Sequence, residues 1–72
     1  MSGILSLAEV KSDLRRIRAA AGDPEAAHGM EDALHQRVLE AIAKGLIRGE
    51  NARAIAAEAL KSEDIPFERW CA

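Results

Sequence analysis

Apolar residues recur at intervals of three and four along most of this chain, which is the spacing that places side chains on one face of an α-helix. The clearest run consists of Leu7, Val10, Leu14, Ile17 and Ala21. No segment shows the apolar and polar alternation of a half-buried strand. The spacing therefore predicts an all-α protein.

The length of the chain suits one domain. Its 72 residues are near the size at which a single apolar core only just outweighs the entropy lost on folding.

The first helix is expected over residues 6–21. Ser6 and Glu9 have the spacing of a capping box, in which the Ser6 hydroxyl accepts a hydrogen bond from the Glu9 amide. The Glu9 carboxylate in turn accepts one from the Ser6 amide. Leu5 and Val10 fit the hydrophobic contact that accompanies such a box, so we expect the helix to begin at this point.

The second helix has two candidate starts, and its expected range is 24–44 or 30–44. Gly22 fits the left-handed residue that ends the preceding helix, and Pro24 suits a first helical turn. Gly29, however, interrupts the pattern, and the acidic residues that follow it are typical of a first turn. Either start predicts an inward face formed by Met30, Leu34, Val38, Leu39, Ala41 and Ile42.

A third helix is expected over residues 51–61, with Asn51 as its N-cap and Gly45 as the C-cap of the helix before it. The connection between them contains Leu46 and Ile47, which we expect to close one end of the core. The inward face of the third helix is predicted to consist of Ala52, Ile55, Ala56, Ala59 and Leu60. Because alanine contributes little apolar area, we expect larger apolar side chains from elsewhere in the chain to pack against this helix.

Both aromatic residues of the chain, Phe67 and Trp70, lie within residues 65–72. Aromatic side chains usually contribute a large share of core and interface burial. We therefore expect this tail to fold over the helices, with Trp70 packed against the helical body. The predicted fold is a single all-α domain over residues 1–72, a three-helix bundle with a C-terminal aromatic tail over its core.

Charge and composition narrow the classes of function. Ten basic and twelve acidic residues leave a net charge of -2 with both signs interspersed, which disfavours nonspecific binding to nucleic acid or anionic lipid. No apolar run approaches the roughly 20 residues that span a bilayer. The first residues lack a secretory pattern, and Cys71 is the only cysteine, so a cytoplasmic protein is expected. A homodimer is compatible with so small a chain.

One side of the first helix carries Lys11, Arg15 and Arg18, with Arg16 alongside. Arginine forks suit carboxylates and are enriched at protein interfaces, so we expect Lys11, Arg15 and Arg18 to bind a larger protein. Nucleic-acid phosphate is the alternative ligand, which would make the chain a small nucleic-acid-associated regulator. Neighbouring Asp13 and the lack of aromatic residues among the basic ones disfavour that alternative.

The side chains of His28, Glu31, Asp32 and His35 would line one side of a continuous helix. The last three lie three, four and seven residues after His28. Imidazole and carboxylate groups bind metals, so these four residues are the candidate metal site and metal binding is a second alternative. The competing interpretation is that Glu31 and Asp32 favour a helix N-terminus while His35 pairs with one of them on the surface. We expect no cofactor.

Catalysis finds little support in the sequence. Cys71 has no evident base to activate it, and the serines occupy terminal, capping or surface contexts. The chain contains neither a glycine-rich phosphate loop nor a nucleophile elbow. A helical body of this size offers little room for a water-excluding pocket, so we do not expect an enzyme.

Two stretches resemble small uncharacterised helical proteins of bacterial, phage and prophage genomes. They are residues 22–35, GDPEAAHGMEDALH, and the tail 65–72, IPFERWCA. In those relatives a serine often follows the histidine, where this chain has Gly29, which implies the later start of the second helix. The resemblance also implies a setting in which small helical products commonly bind a larger host or phage protein. The expected function is a non-catalytic protein-binding or accessory module.

Overall fold

The computed structural model describes residues 5–47 and 49–69, which form three α-helices and one short 3-10 helix. The α-helices are α1 (Leu7–Ala19), α2 (Pro24–Ala43) and α3 (Gly49–Leu60), and the 3-10 helix is Lys61–Asp64. Each α-helix packs against the other two. The described ranges contain no strand, so the predicted all-helical class with three packed helices is confirmed. No helix in these ranges has the length and apolar character needed to cross a membrane.

The predicted capping box is present at the start of α1. The Glu9 amide donates to Ser6 Oγ at 3.2 Å, and the Ser6 amide donates to Glu9 Oε1 at 2.9 Å. These bonds satisfy two amides that the helix itself leaves without acceptors. Leu5 and Val10 are both buried in the core, as expected for the hydrophobic contact that accompanies the box.

Ser6→Ala is expected to lower the free energy of unfolding by about 1 kcal/mol, because the Glu9 amide loses its acceptor. Urea denaturation followed by far-ultraviolet circular dichroism measures the effect. Ser12→Ala is the matched control, since the same substitution within α1 should be neutral or slightly stabilising through the higher helix propensity of alanine. Equal denaturation midpoints for Ser6→Ala and the parent protein would contradict the cap.

The turn between α1 and α2 differs from the prediction at Gly22. The C-cap of α1 is Ala20, and Gly22 does not have a positive φ. The Asp23 amide donates to the Ala20 carbonyl at 2.8 Å, which closes the turn without a left-handed residue. The expectation for Gly22 is therefore wrong. Asp23 is the N-cap of α2, and its carboxylate accepts a hydrogen bond from the Ala26 amide at 3.4 Å.

α2 starts at Pro24 and continues through Gly29, so the later start implied by the resemblance is wrong. Ala27 and Glu31, on either side of this glycine, are both buried against the rest of the protein. Packing of this kind outweighs the helix penalty of about 1 kcal/mol that an interior glycine carries.

Gly45 follows the end of α2 in the predicted role. Its φ is +75°, in the left-handed region that glycine enters without steric penalty. The Leu46 amide donates to the Ala41 carbonyl at 2.9 Å and the Gly45 amide to the Ile42 carbonyl at 3.1 Å, which together form a Schellman motif. Ile47 is buried but Leu46 is exposed, so Ile47 alone of this pair closes the end of the core.

α3 begins earlier than predicted, at Gly49, and Asn51 lies inside its first turn. Gly49 has a φ of +64°, a left-handed conformation that lets the chain enter the helix before Asn51. Ile55 and Ala59 are buried as expected. Leu60, predicted to face inward, is 55% exposed.

The buried face of α2 is rotated relative to the predicted one. Its buried residues are Ala27, Glu31, Leu34, Val38 and Ala41. Met30, Leu39 and Ile42, which the spacing predicts to face inward, are exposed, and Leu39 is 68% exposed. The observed face keeps the alternation of four and three but includes Glu31, because this acidic side chain has partners inside the fold.

The chain after α3 returns to the bundle. Ser62 and Ile65 are buried, and Phe67 is partly buried against the core. Trp70 and Cys71 lie outside the described residues, so the expected packing of Trp70 stays a prediction.

Candidate functional sites

A buried ion pair joins α2 to the segment that follows the 3-10 helix. Glu31 is only 4% exposed, and its carboxylate accepts bidentate hydrogen bonds from the Arg69 guanidinium. Arg69 Nε donates to Glu31 Oε1 at 2.8 Å, and Arg69 Nη2 donates to Glu31 Oε2 at 3.0 Å. This fork is the strongest common geometry between arginine and a carboxylate, and it explains how an acidic residue occupies the inward face of α2.

Ser62 and His35 extend the ion pair into a network. The Ser62 hydroxyl donates to Glu31 Oε2 at 2.6 Å, and His35 Nε2 lies 2.9 Å from Ser62 Oγ. Because the hydroxyl has a single hydrogen, which goes to Glu31, Ser62 Oγ must accept from His35. The network therefore assigns a proton to His35 Nε2.

Arg69 also holds the backbone of its own segment. Its Nη2 donates to the carbonyls of Ser62 at 2.7 Å and Ile65 at 3.2 Å, and its Nη1 donates to the Phe67 carbonyl at 3.2 Å. The guanidinium carbon lies 3.8 Å from the centroid of the Phe67 ring, a favourable cation–π distance. One side chain thus joins Glu31 to three carbonyls and an aromatic ring.

The network favours the ionised form of Glu31. Burial by itself raises the pKa of this carboxyl, but hydrogen bonds from Arg69 and Ser62 and electrostatic interactions with Arg69 and His35 outweigh burial, so the pKa is lowered from its usual value. The same contact raises the pKa of Arg69, chiefly through its hydrogen bonds to Glu31. Both partners are therefore charged at neutral pH.

Ser62, His35 and Glu31 are the residue types of a catalytic triad, but their hydrogen bonds run in a different direction. A nucleophilic serine donates its proton to histidine, whereas Ser62 donates to the carboxylate and accepts from His35. Ser62 is also 0% exposed, which leaves its oxygen no approach for a substrate. The arrangement holds α2, the 3-10 helix and residues 65–69 together.

The four candidate metal ligands separate into two groups. His28 Nδ1 lies 3.4 Å from Asp32 Oδ2 at the outer side of α2, whereas Glu31 and His35 contact Ser62. Both carboxylate oxygens of Glu31 already accept hydrogen bonds, Oε1 from Arg69 and Oε2 from Arg69 and Ser62. Within residues 5–47 and 49–69, no three His, Cys, Asp or Glu side chains are grouped so that they could hold a metal ion.

The basic residues of α1 do not form one uniform patch. Arg16 pairs with Asp13 at 2.6 Å, and Arg37 of α2 pairs with the other oxygen of the same carboxylate. Lys11, Arg15 and Arg18 are exposed and pair with no acidic residue in the part of the chain that the structure describes. These three residues, named here the basic face, are the free cations of α1.

Two grooves border these features. The first, of about 260 Å³, adjoins the basic face and is lined by Arg18, Lys61, Asp64, Ile65 and Pro66. The second, of about 290 Å³, is apolar, lies between α2 and α3 and is lined by His35, Val38, Leu39, Ala56, Ala59 and Leu60. The exposure of Leu39 and Leu60 follows from their position at this second groove.

Sequence reasoning missed Ser62 and Arg69 as partners of Glu31. One signal was available, because residues 27, 31, 34, 38 and 41 alternate by four and three and place Glu31 among apolar positions. An acidic residue on such a face requires a cationic partner elsewhere. The sequence does not identify this partner, because Arg69 lies 38 residues from Glu31 along the chain.

No protein-family model, curated protein or solved structure gives a significant match to this chain.

Proposed function

We propose that this protein is a non-catalytic protein-binding module that contacts an acidic surface of a larger protein through Lys11, Arg15 and Arg18. The supporting observation is the contrast among its cations. Arg16, Arg37, Lys61 and Arg69 each lie against a carboxylate, whereas the three residues of the basic face do not, within the described part of the chain. Lys44 and Arg53 are exposed and unpaired there as well, but Lys44 follows α2 and Arg53 lies in α3. Lys11, Arg15 and Arg18 instead recur at spacings of four and three on one side of α1.

The chemistry of this face favours a protein over a nucleic acid. Arginine binds carboxylates through two parallel hydrogen bonds, and a partner with acidic side chains offers such acceptors. Phosphate contacts would be opposed by the net charge of -2 and by Glu9, which is exposed on the same helix. No aromatic residue on which a base could stack stands among the basic residues in the sequence of α1.

The setting proposed for this module follows from the sequence. The resemblance of residues 22–35 and 65–72 to small phage and prophage products supports such an origin, and the single cysteine supports a cytoplasmic location. We also propose that the aromatic tail lies over the core. Burial of Ile65 and packing of Phe67 support that arrangement.

Charge reversal tests the basic face. Arg15→Glu with Arg18→Glu should leave the melting temperature nearly unchanged, because exposed charges contribute under about 1 kcal/mol. The same change should weaken binding of the partner by at least about tenfold, since like charges would then face each other. The partner is first captured from native extract and identified, and its affinity for the purified chain is then measured by calorimetry.

The matched control is Lys44→Glu with Arg53→Glu, which changes the net charge equally at exposed residues outside α1. Equal affinity losses in both double variants would mean that total charge matters and the basic face does not. A parallel titration with duplex DNA and with RNA addresses the alternative. Steeply salt-dependent binding lost only in the α1 variant would indicate a nucleic-acid regulator.

A further inference from the structure

We propose that Glu31 and Arg69 form a latch that holds residues 65–69 against the bundle, and that this segment detaches as a unit when the pair is broken while the three helices stay packed. The latch is defined as the fork between these two side chains together with Ser62. It couples a buried position in α2 to a segment outside the helices.

The segment depends on Arg69 because it has few bonds of its own. Its only backbone hydrogen bond to the rest of the described chain runs from the Ile65 amide to the Ser62 carbonyl at 3.1 Å. Pro66 has no amide hydrogen to donate. The Arg69 guanidinium also donates to the Ser62 carbonyl and, within the segment, to the carbonyls of Ile65 and Phe67. Freeing that guanidinium therefore removes several contacts at once.

The helices do not share this dependence. α1, α2 and α3 contact one another directly, and their buried side chains include Leu14, Ile17 and Leu34. Residues 65–69 have few hydrogen bonds and contribute only Ile65 to the core, with Phe67 at its edge. A segment of this kind can open locally, below the free energy of global unfolding. When the pair between Glu31 and Arg69 is broken, residues 65–69 should therefore detach while the three helices stay packed.

Detachment would change the surface beside the basic face. Ile65 and Pro66 form a wall of the groove next to Arg18, so the groove exists only while the segment is held. Release would also uncover apolar surface that Ile65 and Phe67 now cover. This consequence for partner binding rests on the proposed function, whereas release of the segment does not.

Trypsin provides a direct test, because the enzyme must draw the Arg69 side chain into its specificity pocket before it can cut after this residue. An Arg69 held by Glu31 cannot enter that pocket. The rate of cutting after Arg69 thus reports the population in which the latch is open. Cutting after Arg37, within the C-terminal half of α2, reports opening of the bundle in the same digest.

Glu31→Gln should raise the rate of cutting after Arg69 by at least about tenfold, while cutting after Arg37 changes little. Asp32→Asn is the matched control, because it neutralises the next carboxylate in α2, and it should leave both rates unchanged. Among the described residues, the Asp32 carboxylate forms an ion pair with His28 alone. An unchanged rate after Arg69 in Glu31→Gln overturns the latch. Equal acceleration at both sites overturns it as well, since Glu31 would then support the whole bundle.

Arg69→Lys gives a second variant that keeps the positive charge and removes the fork. Nuclear Overhauser contacts between the Phe67 ring and core methyl groups should be lost in this variant, while those between buried methyl groups of α1 and α2 persist. The ring of Phe67, the only phenylalanine, gives signals that can be followed individually. Retention of the Phe67 contacts, or loss of both sets together, rejects release of the segment as a unit.

Discussion

Leu34→Ala should lower the free energy of unfolding by about 3 to 5 kcal/mol, whereas Leu39→Ala should lower it by less than about 1 kcal/mol. Leu34 is 1% exposed in the core, and Leu39 is 68% exposed beside the apolar groove. Both substitutions replace leucine by alanine within α2, so their effects on helix propensity are the same. The difference between them measures burial alone.

Chemical denaturation of the two variants decides which face of α2 is inside. Because domains of this size often have only a few kcal/mol of stability, Leu34→Ala could leave a large unfolded fraction even without denaturant. Similar losses in the two variants would mean that Leu39 is buried, as its sequence spacing predicts, and that the observed rotation of α2 is wrong.

Acidification should remove about 1.5 to 3 kcal/mol of stability that the parent protein has and Glu31→Gln lacks, the range for hydrogen bonds to a charged group. Folding lowers the pKa of Glu31, so its contribution is fully present above the usual carboxyl pKa of 4.5. It is lost as the pH falls through the lowered value. The two proteins should thus differ at neutral pH and converge in strong acid.

The charged groups around Glu31 define this pH dependence. Arg69 and His35 favour the carboxylate, and Glu63 of the 3-10 helix interacts with Arg69. Asp13 of α1 is bonded to Arg16 and Arg37 and does not take part. Urea midpoints across the pH range are compared with those of Asp32→Asn, which should follow the parent. A constant difference between the parent and Glu31→Gln at all pH values would exclude ionised Glu31 as the source.

Interactions between residues a few positions apart could be predicted from the sequence. The capping box of Ser6 and Glu9 and the Schellman motif at Gly45 are closed within about five residues, so residue identity and spacing suffice to predict them. The number of helices follows from the same local spacing of apolar residues. The expectation for Gly22 failed because several backbone turns can end a helix, and the residue types alone do not choose among them.

The sequence by itself determined an all-α chain with three helices, a defined start for α1 and three exposed cations on one side of that helix. Only the tertiary structure decided that α2 continues through Gly29 and which of its faces is inside. Apolar spacing alone fits both the face containing Met30 and Ile42 and the one containing Glu31. The second is the observed one because folding brings Arg69 and Ser62 to Glu31, and the free energy of a buried carboxylate depends on partners that are distant along the chain.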